Sequence, residues 1–127
     1  MASAPLLLSI IESPTHPQLS DYYKEHGFEE QRLSSTRKAI SALKLNKPDF
    51  VVAEFFYGYG NNYAGVNICN LDVFLYSLQK YAPEAKVIIF VDKEEKKFTE
   101  KLVELFSIHG VLQYPIHEKD LRVLLEV

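Results

Sequence analysis

Tryptophan is missing from this 127-residue chain, and cysteine and methionine occur once each. One cysteine, Cys69, excludes a disulfide framework and a thiolate metal cage, and it suits a reducing compartment. Cationic side chains are in the minority, with 14 Lys and Arg against 17 Asp and Glu, for a net charge of -3. A face that neutralises phosphates needs the opposite balance, so nucleic acid is not expected as a partner. No apolar run is long enough to span a bilayer. The segment Pro5 to Ile11 falls far short of the roughly 20 residues required. It also lacks the basic start and small-residue cleavage pattern of a secretory signal. A cytoplasmic protein off the membrane is the expectation. Among the five glycines no Gly-X-Gly-X-X-Gly or Walker pattern occurs, so no phosphate-cradling loop is expected. His16, His26, His109 and His117 are scattered without metal spacing. Cys69 has no flanking His or base to activate it. Neither a metal site nor a catalytic nucleophile follows from these residues.

What is present reads as one soluble domain over residues 1–127. The chain is 47% hydrophobic and 24% charged, ordinary proportions for a globular protein. At this length about two-thirds of the unfolded surface can be buried. Apolar, β-branched runs predict strands at Leu6–Ile11, Phe50–Phe55, Val87–Val91 and Val111–Ile116, and the polar Glu29–Leu33 suits an edge strand. Between them, helical spacing predicts helices over Pro17–His26 closed by Gly27, after Ser34-Ser35-Thr36, and from Asn70 to before Pro83. Two more are expected: Glu94–His109, with Phe98, Leu102, Leu105 and Phe106 inward and Gly110 as its C-cap, and a last one from Glu118. Five β-α repeats imply a parallel sheet covered on both faces.

Three stretches resemble response-regulator receiver domains. Lys47-Pro48-Asp49-Phe50-Val51-Val52 is similar to that family's approach to its third strand. Pro83-Glu84-Ala85-Lys86-Val87-Ile88-Ile89 is similar to its approach to the fourth, and Gly110-Val111-Leu112-Gln113-Tyr114-Pro115-Ile116 to its fifth. The resemblance implies a flavodoxin-like three-layer α/β/α sandwich, with a five-stranded parallel sheet in the order 2-1-3-4-5. It also implies a site at the carboxyl ends of strands 1, 3 and 4. Receivers use an acidic pair, an acceptor aspartate, a hydroxyl and a lysine to transfer and sense a phosphoryl group around Mg²⁺.

On this chain that site is degenerate. The acidic pair becomes Ile11-Glu12 or Glu12-Ser13, with one carboxylate lost either way. Glu54 stands at the acceptor position, its carboxylate pushed out by about 1.5 Å. Val91 replaces the hydroxyl, and Tyr114 replaces the lysine with an uncharged donor. The expectation is a pseudo-receiver, independent of phosphorylation, with no enzymatic activity and no cofactor. It would act in bacterial-type two-component signalling through protein–protein interaction or dimerisation. The resemblance suggests a protein partner or a fused output domain, or a homodimer through the fourth helix, fifth strand and fifth helix. The last helix looks a turn short, as in a chain cut from a longer protein.

One segment stands outside that pattern. Tyr57 to Asn67 carries three glycines, three tyrosines and three asparagines, and is longer than the usual receiver loop. Tyr57, Tyr59, Asn61, Asn62 and Tyr63 are its candidate contacts to a partner or ligand. The rival reading is a flavin or nucleotide binder, with these rings stacking and Ser13 and Thr15 at a phosphate, although Pro14 and Pro17 crowd that turn.

Overall fold

In a computed structural model, residues 5–11, 19–55 and 71–125 are described. The strands are β1 (Leu6–Ile10), β2 (Glu29–Leu33), β3 (Phe50–Glu54), β4 (Lys86–Val91) and β5 (Ile108–Gln113). The helices are α1 (Ser20–Glu25), α2 (Thr36–Leu43), α3 (Asp72–Tyr81), α4 (Thr99–Leu105) and α5 (Glu118–Leu124), and a 3₁₀-helix over Lys93–Phe98 precedes α4. Every strand pair is parallel, and the order is β2-β1-β3-β4-β5. This is the three-layer sandwich expected from the repeats.

The period-2 alternation of the strands divides the core into two halves. Leu8, Ile10, Val51, Ala53, Val87, Ile89 and Val91 pack against Ala39, Ala42 and Leu43 of α2, Phe74, Leu75 and Leu78 of α3, and Leu102 of α4. Leu7, Phe50, Val52, Ile88 and Phe90 face the other way, onto Tyr22 and Tyr23 of α1 and Leu121 of α5. The central strands are apolar on both faces because both faces are covered. β2 keeps its charges because it lies at an edge.

Local signals account for two of the boundaries. Ser35 caps α2, its Oγ accepting the Lys38 amide at 3.2 Å. Gly27, at φ 84°, lets the chain turn out of α1 while the Phe28 amide bonds the Tyr23 carbonyl at 2.9 Å.

The region after β4 departs from the sequence reading. One long helix over Glu94–His109 does not form; a 3₁₀-helix and the short α4 replace it, and α4 ends at Leu105. Phe106 is buried, but Leu105 is left 48% exposed rather than inward. The reason is sheet pairing. β5 begins at Ile108, opposite Val87, so it starts three residues earlier than its apolar pattern suggests and stops at Gln113. Tertiary pairing overrides a good helical pattern here.

Gly110 is consequently a strand residue and not a helix cap. A Cβ at Gly110 would lie 2.5 Å from Leu124 Cδ1, so the Leu124 side chain of α5 lies over this backbone. The ladder also shifts between Val87 and Ile88, whose partners are Ile108 and Gly110. That leaves His109 over, and its Nε2 donates to the Leu124 carbonyl at 2.8 Å. Gly110→Ala is expected to destabilise the domain by about 1–2 kcal/mol through overpacking. A lower urea midpoint at unchanged slope would show it.

Candidate functional site

The carboxyl end of the sheet is where this topology places a site. Glu54 ends β3, and alternation turns its side chain to the α1/α5 face together with Phe50 and Val52. It is 3% exposed, an unusual degree of burial for a carboxylate without partners. It has one. The Tyr114 hydroxyl donates to Glu54 Oε2 at 3.0 Å, joining groups 60 residues apart in the chain.

Tyr114 is placed by the end of β5. Its amide donates to the Val91 carbonyl at 2.9 Å, which extends the β4–β5 ladder by one bond. Its ring meets Phe90 edge to face, with centroids 6.0 Å apart. The Tyr114–Pro115 peptide is cis. Burial, first, holds the Tyr114 phenol far above its usual range. The Glu54 charge and hydrogen bond add to this, followed by the charges of Asp92 and Tyr23. The phenol therefore stays a donor at any physiological pH.

Sequence reasoning missed Tyr23. It is 1% exposed beneath the site, and its hydroxyl has no hydrogen-bond partner among the described residues. Burial raises its pKa most, with Glu30 and Tyr22 adding and Arg32 opposing. Helical spacing with Leu19 announces that Tyr23 is buried, but not that its hydroxyl ends without a partner.

Of the four residues expected in the degenerate pocket, Glu54 and Tyr114 are brought into contact. Val91 stands at the end of β4, fully buried, with its side chain in the opposite half of the core; its carbonyl, not its side chain, meets Tyr114. Glu12 lies outside the described residues, as do Tyr57, Tyr59, Asn61, Asn62 and Tyr63. Cys69, Ser13 and Thr15 lie outside them too. Among the described residues no group of three or more His, Cys, Asp or Glu side chains could hold a metal ion. No helix among them is long and apolar enough to cross a membrane. A groove of about 630 Å³ lined by Pro83, Val103, Phe106 and His109 lies at the other end of the sheet, away from Glu54.

No protein-family model matches the chain, and no curated protein is detectably similar to it in sequence. Solved structures do resemble it. A response-regulator receiver domain from Clostridium thermocellum superposes with a TM-score of 0.72 at 19% identity, over 94% of this chain and 90% of that one. The signal receiver domain of an HD-domain protein from Pseudomonas fluorescens Pf-5 gives 0.74 at 16% identity, over 95% and 90%. The fold is that of a receiver domain. A third neighbour with this receiver fold is a response regulator from Burkholderia pseudomallei with a phosphorylated aspartic acid and a calcium ion, at TM-score 0.74 and 14% identity. It covers 97% of this chain and 67% of its own.

Proposed function

We propose that this chain is a pseudo-receiver, a signalling module that works by binding protein partners without being phosphorylated. The observation that carries the reading is the part-buried Glu54–Tyr114 hydrogen bond of 3.0 Å. A phosphoryl acceptor needs a free carboxylate oxygen, a divalent cation and a cationic or hydroxyl group to take the developing charge. Here the carboxylate belongs to glutamate, one of its oxygens already accepts a phenol, and that phenol carries no positive charge. The hydroxyl position is valine, packed into the other half of the core.

Signalling then rests on surface complementarity with a protein partner or a fused output domain. For a homodimer, the face formed by α4, β5 and α5 is the one we assign. Val103, Leu105 and Val123 leave large apolar side chains exposed on the two helices flanking β5. The flavin or nucleotide reading draws no support from the described residues.

The test is a pair of amide and side-chain spectra of labelled protein, before and after Mg²⁺ with beryllofluoride. No change at Glu54 and Tyr114 is expected. Saturable shifts there would overturn the reading. Sedimentation of the same sample reports whether the partner is a second copy, since a monomer at all concentrations removes the homodimer.

A further inference from the structure

Positive charge is gathered in one stretch of this acidic chain. Residues 31–48 hold five of the 14 Lys and Arg and none of the 17 Asp and Glu. They form the end of β2, α2 and the turn that follows it. Arg37, Lys38, Lys44 and Lys47 are exposed, and among the described residues none of these four makes an ion pair. Residues 93–104 show the ordinary arrangement. There lysines and glutamates are mixed, as in Lys101–Glu104 at 3.6 Å, which is how a solvated face is usually built.

Helix stability does not account for the charge on α2. Ser35 is the N-cap, so Arg37 and Lys38 are the second and third helical residues. The first turn carries the positive end of the helix dipole, where acids are favoured and cations are not. α2 has no acidic residue in its first turn and no basic residue in its last. Both preferences go unmet, and local conflicts of this kind collect at functional positions. An apolar side chain completes the patch. Leu45 is 81% exposed, more than any other large apolar side chain among the described residues. Its amide bonds the Ala42 carbonyl at 3.0 Å, so the helical turn continues through it. Spacings of three, four and seven residues put Arg37, Lys38, Ser41, Lys44 and Leu45 on the side opposite the buried Ala39, Ala42 and Leu43.

We propose that this face of α2 docks an acidic segment of another protein, with Leu45 at the centre of the contact and the cations around it. An apolar centre inside a polar rim is the usual anatomy of a protein interface. Nucleic acid fits less well, because a duplex needs cations along a longer track and the rest of this chain is acidic. A membrane fits less well too, since α2 turns its apolar side to the core and offers only Leu45 for insertion. α2 packs over β1 and β2, at one edge of the sheet. The face assigned to a homodimer lies at the other edge, around β5, so the two contacts do not overlap. The inference is independent of what happens at Glu54, and its failure would leave the reading of that pocket untouched.

The probe is a synthetic helical peptide with glutamates at helical spacing on either side of one leucine. A twin peptide carries glutamine in place of each glutamate. Titrated into labelled protein, the acidic peptide is expected to give saturable shifts at Arg37, Lys38, Lys44 and Leu45, and the twin none. Raising salt from about 0.05 M to about 0.5 M should weaken binding about tenfold, as screening shortens the reach of the charges. Leu45→Ala should weaken it about fivefold through lost apolar contact. Arg37→Glu combined with Lys38→Glu should weaken it at least about tenfold, because like charges then face each other. The same double substitution should raise the urea midpoint of the free domain, since carboxylates suit the start of a helix. Cations that served only the fold would give the opposite shift. An absence of saturable shifts, binding indifferent to the charge reversal, or a lowered urea midpoint would overturn the proposal. So would tighter binding to vesicles of phosphatidylcholine and phosphatidylserine, or to a DNA duplex, than to the acidic peptide. Self-association in sedimentation that the charge reversal removes would assign the face to a second copy and overturn it as well.

Discussion

Tyr114→Phe is expected to destabilise the domain by about 2 kcal/mol, the range for losing a hydrogen bond to a charged group. The reason lies with the acceptor. Glu54 is almost wholly buried, and the Tyr114 hydroxyl is one of the donors that make its burial tolerable. Tyr23→Phe is the control, with the opposite sign. Its hydroxyl is buried without a partner among the described residues, so deleting it should be neutral or stabilise by up to about 1 kcal/mol. Urea unfolding of the two variants beside wild type checks the pair. Equal free-energy changes would mean that Tyr114 contributes only its ring.

The same two phenols predict a steep loss of stability in alkali. Both are ordinary in the unfolded chain, with pKa near 10, and both are raised in the folded state, chiefly by burial. A raised folded pKa favours the fold fully below pH 10, and that contribution is lost as pH climbs toward the folded value. The unfolded chain releases protons that the folded chain keeps. Tyr23 and Tyr114 together contribute a slope that steepens above pH 10 toward a limit of about 2.7 kcal/mol per pH unit, at about 1.36 for each, and Tyr22, also raised, adds to it. Urea midpoints measured from about pH 9 to about pH 11.5 give the slope. Tyr23→Phe and Tyr114→Phe should each remove about half of what these two contribute, and comparing variants cancels the lysines that titrate in the same range. A slope indifferent to both substitutions would show the phenols to be reached by solvent.

Most of the fold was legible because its signals are local. Apolar runs such as Phe50–Phe55 and Val87–Val91 announce two-sided burial, Ser35 announces a helix start, and Gly27 announces a helix end. The failures cluster where a distant partner decides. Leu105 has helical spacing with Leu102, but the chain leaves the helix so that Ile108 can pair with Val87. Gly110 has the look of a cap, yet its need for a bare backbone comes from Leu124 on α5. The candidate site divides in the same way. That Glu54 and Tyr114 occupy strand ends could be read from order alone, while their hydrogen bond depends on side-chain reach and on Phe90 setting the tyrosine ring. Nothing in the local sequence marks Tyr23 as ending beneath them.

The all-parallel ladder also bears on how the chain reaches this state. No strand can pair with a sequence neighbour through a tight turn, since Leu6 meets Glu29 and Leu7 meets Phe50. These closures span 23 and 43 residues (29 − 6 and 50 − 7). By loop-closure entropy the longer one costs only about 0.6 kcal/mol more than the shorter. Burying a single leucine or valine returns about 1.5–3 kcal/mol. β1 and β3 meet through side chains that are almost all fully buried, whereas β1 and β2 meet along a polar edge. Joining the middle of the sheet first therefore carries little entropic disadvantage and a large gain in burial, and β2 can be added to a platform that already exists.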